Sequence, residues 1–367
     1  MIQRLYVHNF RCLENFDLDL SRSRTAVVIG NNGSGKSTIG CVLNVLHQVA
    51  QGINRVGELV KPSDLTRGQS DVPIRIEIEV LLNEILYKYS VVLELPEGFK
   101  EMRINEESLI VGDISVFSRK IALVSMVNFR SGAETRFNMD WHLFALPLIQ
   151  ELSTEDPLFL FKNWLKRMLI ISPVPSLITG DSEGEIISPN NYVSNFGDWF
   201  TGLITNSPSS YSSMEKYLKD TLIDFRDIKN PIIGTDSRSI VVQFEQNGKT
   251  ISVPFRFLSD GEKCFFIAAS VLASNQSYDS LFCFWDEPDN YLSLSEIGHF
   301  VLNLRRSFEN SGQMIIVSHN PEAVLRFSDE STFVIQRKSH IEPPSIRLLK
   351  DIGYQGDLLS ALVGGEI

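Results

Sequence analysis

Residues Gly30-Asn31-Asn32-Gly33-Ser34-Gly35-Lys36-Ser37 fit the pattern G-x-x-x-x-G-K-[ST] without a mismatch. They follow an apolar run, Thr25 to Ile29, and precede Ser37 to Val49, where Ile39, Val42, Leu43, Leu46 and Val49 fall at helical spacing. Strand, glycine-rich loop and helix in that order constrain the chain to an α/β fold built around a P-loop. The chemistry follows from the residue types. Glycines let main-chain N–H groups converge on phosphate at a helix N-terminus, Lys36 neutralises the β and γ oxygens, and the Ser37 hydroxyl suits Mg²⁺. With Thr38 beside them, residues 30–38 are the expected ATP-binding loop. A dinucleotide fold would need glycine at 38, where Thr38 stands.

Around this loop, Ile2–Val7 and Phe16–Leu20 read as short strands. Residues 74–80 and 87–93 alternate apolar and polar side chains and predict an antiparallel β-subdomain. From about 141 to 228 the pattern turns helical. Asp156-Pro157 caps a helix whose face is Leu158, Phe161, Leu165, Met168 and Leu169, and loops are expected over 172–191 and 206–213. Strands near 240–246 and 251–257 lead into a helix over 262–273. Strands and helices then alternate to about 337, which implies a parallel sheet. The expected organisation is an N-terminal head segment over 1–140, a helical insert over 141–230 and a C-terminal head segment over 231–367.

Three further motifs carry chemistry. Leu281 to Trp285 is an apolar run that ends in Asp286 and Glu287. Adjacent carboxylates at the end of a buried strand call for a cation, so Asp286 is expected to hold Mg²⁺ through water and Glu287 to polarise the attacking water. Leu258-Ser259-Asp260-Gly261-Glu262-Lys263 opens a helix and offers a second anion-binding N-terminus, although such a turn is also an ordinary helix cap. Ile315 to Val317 is a strand ending in Ser318-His319.

In their order and spacing these four motifs resemble an ABC-type ATPase head. Val7-His8-Asn9-Phe10-Arg11-Cys12 resembles the opening of SMC, RecF and OLD-type heads, and Leu258 to Lys263 is similar to their signature rather than to that of transporters. The nearest likeness is to compact, stand-alone ATPases of the OLD and RecF kind. Asp289-Asn290-Tyr291-Leu292-Ser293-Leu294 keeps the outline of that group's sequence after Asp286-Glu287-Pro288 but lacks its His and Pro. The resemblance implies a P-loop fold with a mixed central sheet, an antiparallel β-subdomain and a helical insert. It also implies a homodimer closing around two ATP molecules, in which Ser259, Asp260, Gly261 and Glu262 reach the nucleotide of the opposite subunit. In the same way it implies that His319 senses the γ-phosphate, Arg11 reaches the nucleotide, Asp289 lies in the coupling loop, and Gln69 is the candidate Q-loop glutamine.

Composition narrows the function classes. A formal net charge of −11 argues against a protein that coats nucleic acid through its overall field. The four cysteines form no C-x-x-C pair, so neither a zinc site nor a disulfide framework is expected, and a cytoplasmic setting is. No apolar stretch is long enough to span a membrane. Too few residues follow His319 for the nuclease domain of OLD proteins, and no heptad pattern predicts long coiled-coil arms. The resemblance to compact OLD-type ATPases implies an ATPase that regulates a separately encoded effector, a nuclease or toxin, in defence against phage. RecF-like DNA maintenance stays open, with Lys162, Lys166 and Arg167 beside Trp164 as its candidate basic face. A ribosome-acting ABC protein is a third class, though those usually carry two heads in one chain.

Overall fold

The computed structural model describes residues 1–127, 132–151, 153–278 and 281–352. They divide into two compact units. The first gathers Met1–Arg24, Val28–Lys166 and the described residues from Asp329 on; the second gathers Thr25–Val27 and Arg167–Ser328. No helix among the described residues is long and apolar enough to cross a membrane.

In the first unit, β1 (Ile2–His8), β2 (Phe16–Asp19), β4 (Ile74–Leu82), β5 (Ile85–Glu94), β6 (Arg103–Val111), β7 (Ile114–Lys120), β8 (Leu123–Val127) and β9 (Glu134–Asn138) form one antiparallel sheet, in the order β2-β1-β4-β5-β6-β7-β8-β9. β3 (Thr25–Ile29) intervenes in sequence and passes from the second unit into the first. The register is fixed by one buried face. Ile74, Ile76, Ile78 and Val80 lie opposite Leu93, Val91, Tyr89 and Tyr87. The turn joining β4 to β5 has positive φ at both Asn83 and Glu84, the two-residue geometry that matches strand twist. Helix α1 (Lys36–Ala50) follows the P-loop and the single turn α2 (Val56–Leu59) lies beyond it. α3 (Pro157–Arg167) opens with the Asp156 carboxylate accepting from the Leu158 N–H at 2.9 Å, and its Phe161 stacks on Tyr87 at 5.9 Å.

Four of these strands, β6 to β9, extend the β-subdomain beyond the two hairpin strands that the alternation predicts. They hold a buried ion pair. Glu107 on β6 pairs in register with Arg119 on β7 and both side chains are fully buried. The Glu107 carboxylate accepts from the Tyr89 hydroxyl at 2.9 Å and from the Ala145 and Leu146 N–H groups at 2.7 and 2.9 Å. Arg119 donates to the carbonyls of Ile121, Asp140 and Leu143. Burial pushes the Glu107 carboxyl up, against the pull of those donors. Arg119→Met is expected to destabilise the fold by about 3–5 kcal/mol, because it strands a buried carboxylate and three carbonyls. An unchanged urea midpoint would refute this role for the pair.

In the second unit, β10 (Leu169–Ile171) pairs in parallel with β17 (Phe282–Asp286), and β17 with β18 (Gln313–Val317), beside which Thr25–Val27 of β3 lie. Two small antiparallel sheets accompany them. One comprises β11 (Asp181–Ser182), β14 (Ser237–Ser239) and β13 (Ile232–Ile233); the other comprises β12 (Phe225–Lys229), β15 (Val241–Gln246) and β16 (Lys249–Pro254). The helices are α4 (Phe196–Asn206), α5 (Ser209–Thr221), α6 (Asp260–Ser277), α7 (Leu294–Asn310) and the short α8 (Pro321–Val324). α6 is buried without a break from Lys263 to Asn275, as a core helix is. Its last residue, Ser277, bonds through its hydroxyl to Ser207 at 3.0 Å and Ser210 at 2.9 Å, at the α4–α5 junction. Back in the first unit, β19 (Thr332–Gln336) lies beside the Val28–Ile29 end of β3 and pairs antiparallel with β20 (Ser345–Leu348), before α9 (Leu349–Ile352).

Within the stretch expected to be helical the structure differs in detail. α3 ends at Arg167, and Leu169, expected on its apolar face, begins a strand of the parallel sheet instead. The loop expected over 206–213 is mostly the first turn of α5. A run of buried apolar residues looks alike in a helix and in a central strand, and the sequence there holds no breaker between them.

Candidate functional site

The P-loop joins β3 to α1 in the first unit. Gly30 has φ +149°, and a Cβ on it would stand 2.1 Å from the Ile335 carbonyl oxygen of β19, so only glycine lets the two backbones meet there. Gly35 caps α1 in the left-handed region, where a Cβ would meet the Cys12 sulfur at 2.9 Å. Asn31, Asn32, Gly33 and Ser37 are exposed, whereas Ser34 and Lys36 are buried. The Lys36 ammonium donates to the carbonyls of Gly30 at 2.7 Å and Asn31 at 3.0 Å, which draws it across the loop. The buried Ser34 hydroxyl finds no hydrogen-bond partner among the described residues. The Thr38 N–H donates to the Gly35 carbonyl at 3.0 Å, and its hydroxyl lies 3.6 Å from the Cys12 sulfur. The loop is thus a glycine-gated cradle with a buried cation and an orphaned hydroxyl, which fits a polyphosphate.

Two flanking candidates belong to the same unit. Arg11, with φ +53°, pairs with Asp64 at 2.9 Å and donates to the Cys41 sulfur on α1. Gln69 is held by its main chain: the Asn9 amide donates to its carbonyl at 3.1 Å, and its N–H donates to Thr66 at 3.0 Å. The basic face expected on α3 is not built. Lys162 is buried and bonded to the Ile149 carbonyl and Glu151, Trp164 is buried, and Arg167 lies over the Tyr278 ring at 4.9 Å.

The second unit brings the remaining motifs together. Asp286 ends β17, and Glu287 follows with φ +53°, its N–H donating to the Val317 carbonyl at 2.9 Å. That bond fastens Glu287 to the end of β18, so His319 comes within reach: its Nε2 lies 3.8 Å from Glu287 Oε1, with both side chains about two-fifths exposed. The Asn290 side-chain amide donates to the other Glu287 oxygen. Asp289 is buried and accepts from the Ser318 hydroxyl at 3.1 Å. Burial pushes the Asp289 carboxyl above its usual range, and the Ser318 bond opposes that.

Ser259 is the N-cap of α6, in a reciprocal capping box: its hydroxyl accepts from the Glu262 N–H at 3.3 Å, and the Glu262 carboxylate accepts from the Ser259 N–H at 2.7 Å. Ser259 and Asp260 are exposed. A Cβ on Gly261 would stand 3.0 Å from the Tyr291 carbonyl, so the start of α6 lies against the loop that follows Asp286-Glu287. Lys263 turns inward and donates to the Pro175 carbonyl at 2.9 Å.

Residues 26–325 match the family model described as "AAA domain, putative AbiEii toxin, Type IV TA system". Among solved structures, an Smc head bound to the C-terminal winged-helix domain of ScpA is similar with 14% identity and a TM-score of 0.55, over 96% of this chain and 99% of that one. The SMC head domain from Thermotoga maritima is 14% identical with a TM-score of 0.47, over 95% and 98%. An Smc head domain with an extended coiled coil, bound to the C-terminal domain of ScpA derived from Pyrococcus furiosus, is 12% identical with a TM-score of 0.47, over 96% and 97%. No curated protein matches the chain. The first of these likenesses shows the fold, that of an Smc head.

Proposed function

The chain belongs to the family of AAA domains described as "putative AbiEii toxin, Type IV TA system", and from that premise we propose that it is an ATPase that closes as a homodimer around two ATP molecules and regulates a separately encoded effector. The observation that carries this reading is the P-loop cradle with Lys36 drawn across it. ATP and Mg²⁺ supply the γ-phosphoryl group and its charge neutralisation when bound. The residues fit them. The loop amides and the Lys36 ammonium suit the phosphates, and the Ser37 hydroxyl is a hard oxygen donor of the kind Mg²⁺ prefers; the Asp286 carboxylate has the same chemistry, and its metal role is carried by the resemblance. Glu287, held in place by Asn290, takes the proton from the attacking water. His319 beside it senses the γ-phosphate, and Arg11 adds charge at the nucleotide.

The likeness to ATPase heads that pair around nucleotide assigns Ser259, Asp260, Gly261 and Glu262 to the nucleotide of the second copy. The exposure of Ser259 supports this, as does Phe257, 73% exposed two residues earlier on what would be a buried face. Asp289, tied to Ser318, couples the two nucleotide sites, and Gln69 is the candidate for the residue that reports nucleotide binding to the β-subdomain. The family's description names a toxin and a toxin–antitoxin system, which supports a toxin as the effector; a nuclease effector and a role in defence against phage come from the likeness to OLD-type ATPases.

Sedimentation of the Glu287→Gln form tests the dimer. Mg²⁺ and ATP are expected to convert it to a dimer, and adding Ser259→Arg is expected to abolish that shift while leaving ATP affinity near parental, because the P-loop donors are untouched. Mixing Ser259→Arg with Lys36→Ala should restore part of the hydrolysis, because one interface of the mixed dimer keeps both elements. An association state indifferent to ATP and to Ser259→Arg would sink the sandwich.

A further inference from the structure

The β19–β20 connection, 337–344, lies against the apex of the P-loop, within one unit. Its shape is set by one side chain. The Arg337 guanidinium donates to the carbonyls of His340 at 2.6 Å and Glu342 at 3.0 Å, curling the loop, and to the Gly33 carbonyl at 3.5 Å, fastening it to the P-loop. The Glu342 N–H closes the curl onto Ser339. From the other side Arg67, itself paired with Glu14, donates to the Ile341 carbonyl. What this fixed loop presents is unusual. His340 is exposed, with Nε2 4.0 Å from the position of a Cβ on Gly33, and Ile341 beside it is 79% exposed.

A flat ring and an aliphatic side chain, held on a braced main chain at the rim of a phosphate cradle, suit the face of a nucleobase. A phosphate would be served differently. The N–H donors of Arg337 are directed to main-chain carbonyls, and Ile341 offers an anion nothing. We propose that His340 and Ile341 form the platform on which the base of the P-loop nucleotide stacks, with Arg337 as the residue that positions them. This rests on the nucleotide reading given above and adds which residues read the nucleoside end.

Calorimetric titration of the full chain with ATP, ADP and inorganic tripolyphosphate separates the two ends of the ligand. His340→Ala is expected to weaken ATP and ADP about tenfold, the scale of one base stacked on a ring, and to leave tripolyphosphate affinity unchanged. His340→Phe, which keeps a flat ring, is expected to retain parental ATP affinity and so excludes a general defect of folding. Equal losses for ATP and tripolyphosphate would overturn the platform in favour of a phosphate contact, and no loss for either would overturn it outright. A parent chain that binds neither ligand would overturn the nucleotide reading and the platform with it, whereas parental binding of both with an indifferent His340→Ala removes the platform alone.

Discussion

Lys36→Ala is expected to lower ATP affinity at least about a hundredfold, because it removes two or more charge-assisted hydrogen bonds of about 1.5–3 kcal/mol each. The loss has a second source. In the free protein the same ammonium bridges the Gly30 and Asn31 carbonyls, so its removal also leaves the cradle less ordered before any ligand arrives. Calorimetry reads the affinity, and a thermal melt checks that α1 and β3 still pack. Parental affinity in a folded Lys36→Ala protein would remove the P-loop from the mechanism.

Glu287→Gln is expected to bind ATP at parental affinity and to hydrolyse it about 10²–10⁴ times more slowly, the worth of a general base. The amide keeps the geometry. Its oxygen can still accept from the Asn290 side chain, and the main-chain bond from residue 287 to Val317 is untouched. Only the capacity to take a proton is lost. Phosphate release under single-turnover conditions measures the step directly, and a parental rate would strip Glu287 of its role.

How much of this was readable in the sequence depended on whether local pattern and buried environment agreed. β3, the P-loop and α1 were legible because glycines, an apolar run and a helical face all point the same way. The Ser259–Glu262 capping box was legible for a similar reason, since S-x-x-E before an apolar run is a local signal. β6 was not. Its inward position 107 is a glutamate, and the register with β5 shifts at Asn105, which puts two outward residues between the buried Ile104 and Glu107, so alternation fails there. β10 was hidden because three apolar residues continue the pattern of α3. The basic cluster misled for the opposite reason: Lys162 has the composition of a surface residue and the surroundings of a buried one. The role of the 337–344 connection was also beyond the sequence, because Arg337 finds Gly33 only through the fold.

α6 carries a mechanical consequence. A helix of 18 residues is about 27 Å long, and this one is gripped on all sides from Lys263 to Asn275. A rod so confined has no soft joint in which to dissipate a push. Its free head is the Ser259 turn, and its tail is the Ser277 hydroxyl, wedged between Ser207 and Ser210. With no break in its burial to absorb a bend, the helix joins the Ser259 turn at one end to the α4–α5 junction at the other. A stiff strut of this kind ties the order of the α4–α5 junction to that of the Ser259 turn, so loosening either end would loosen the packing of the other.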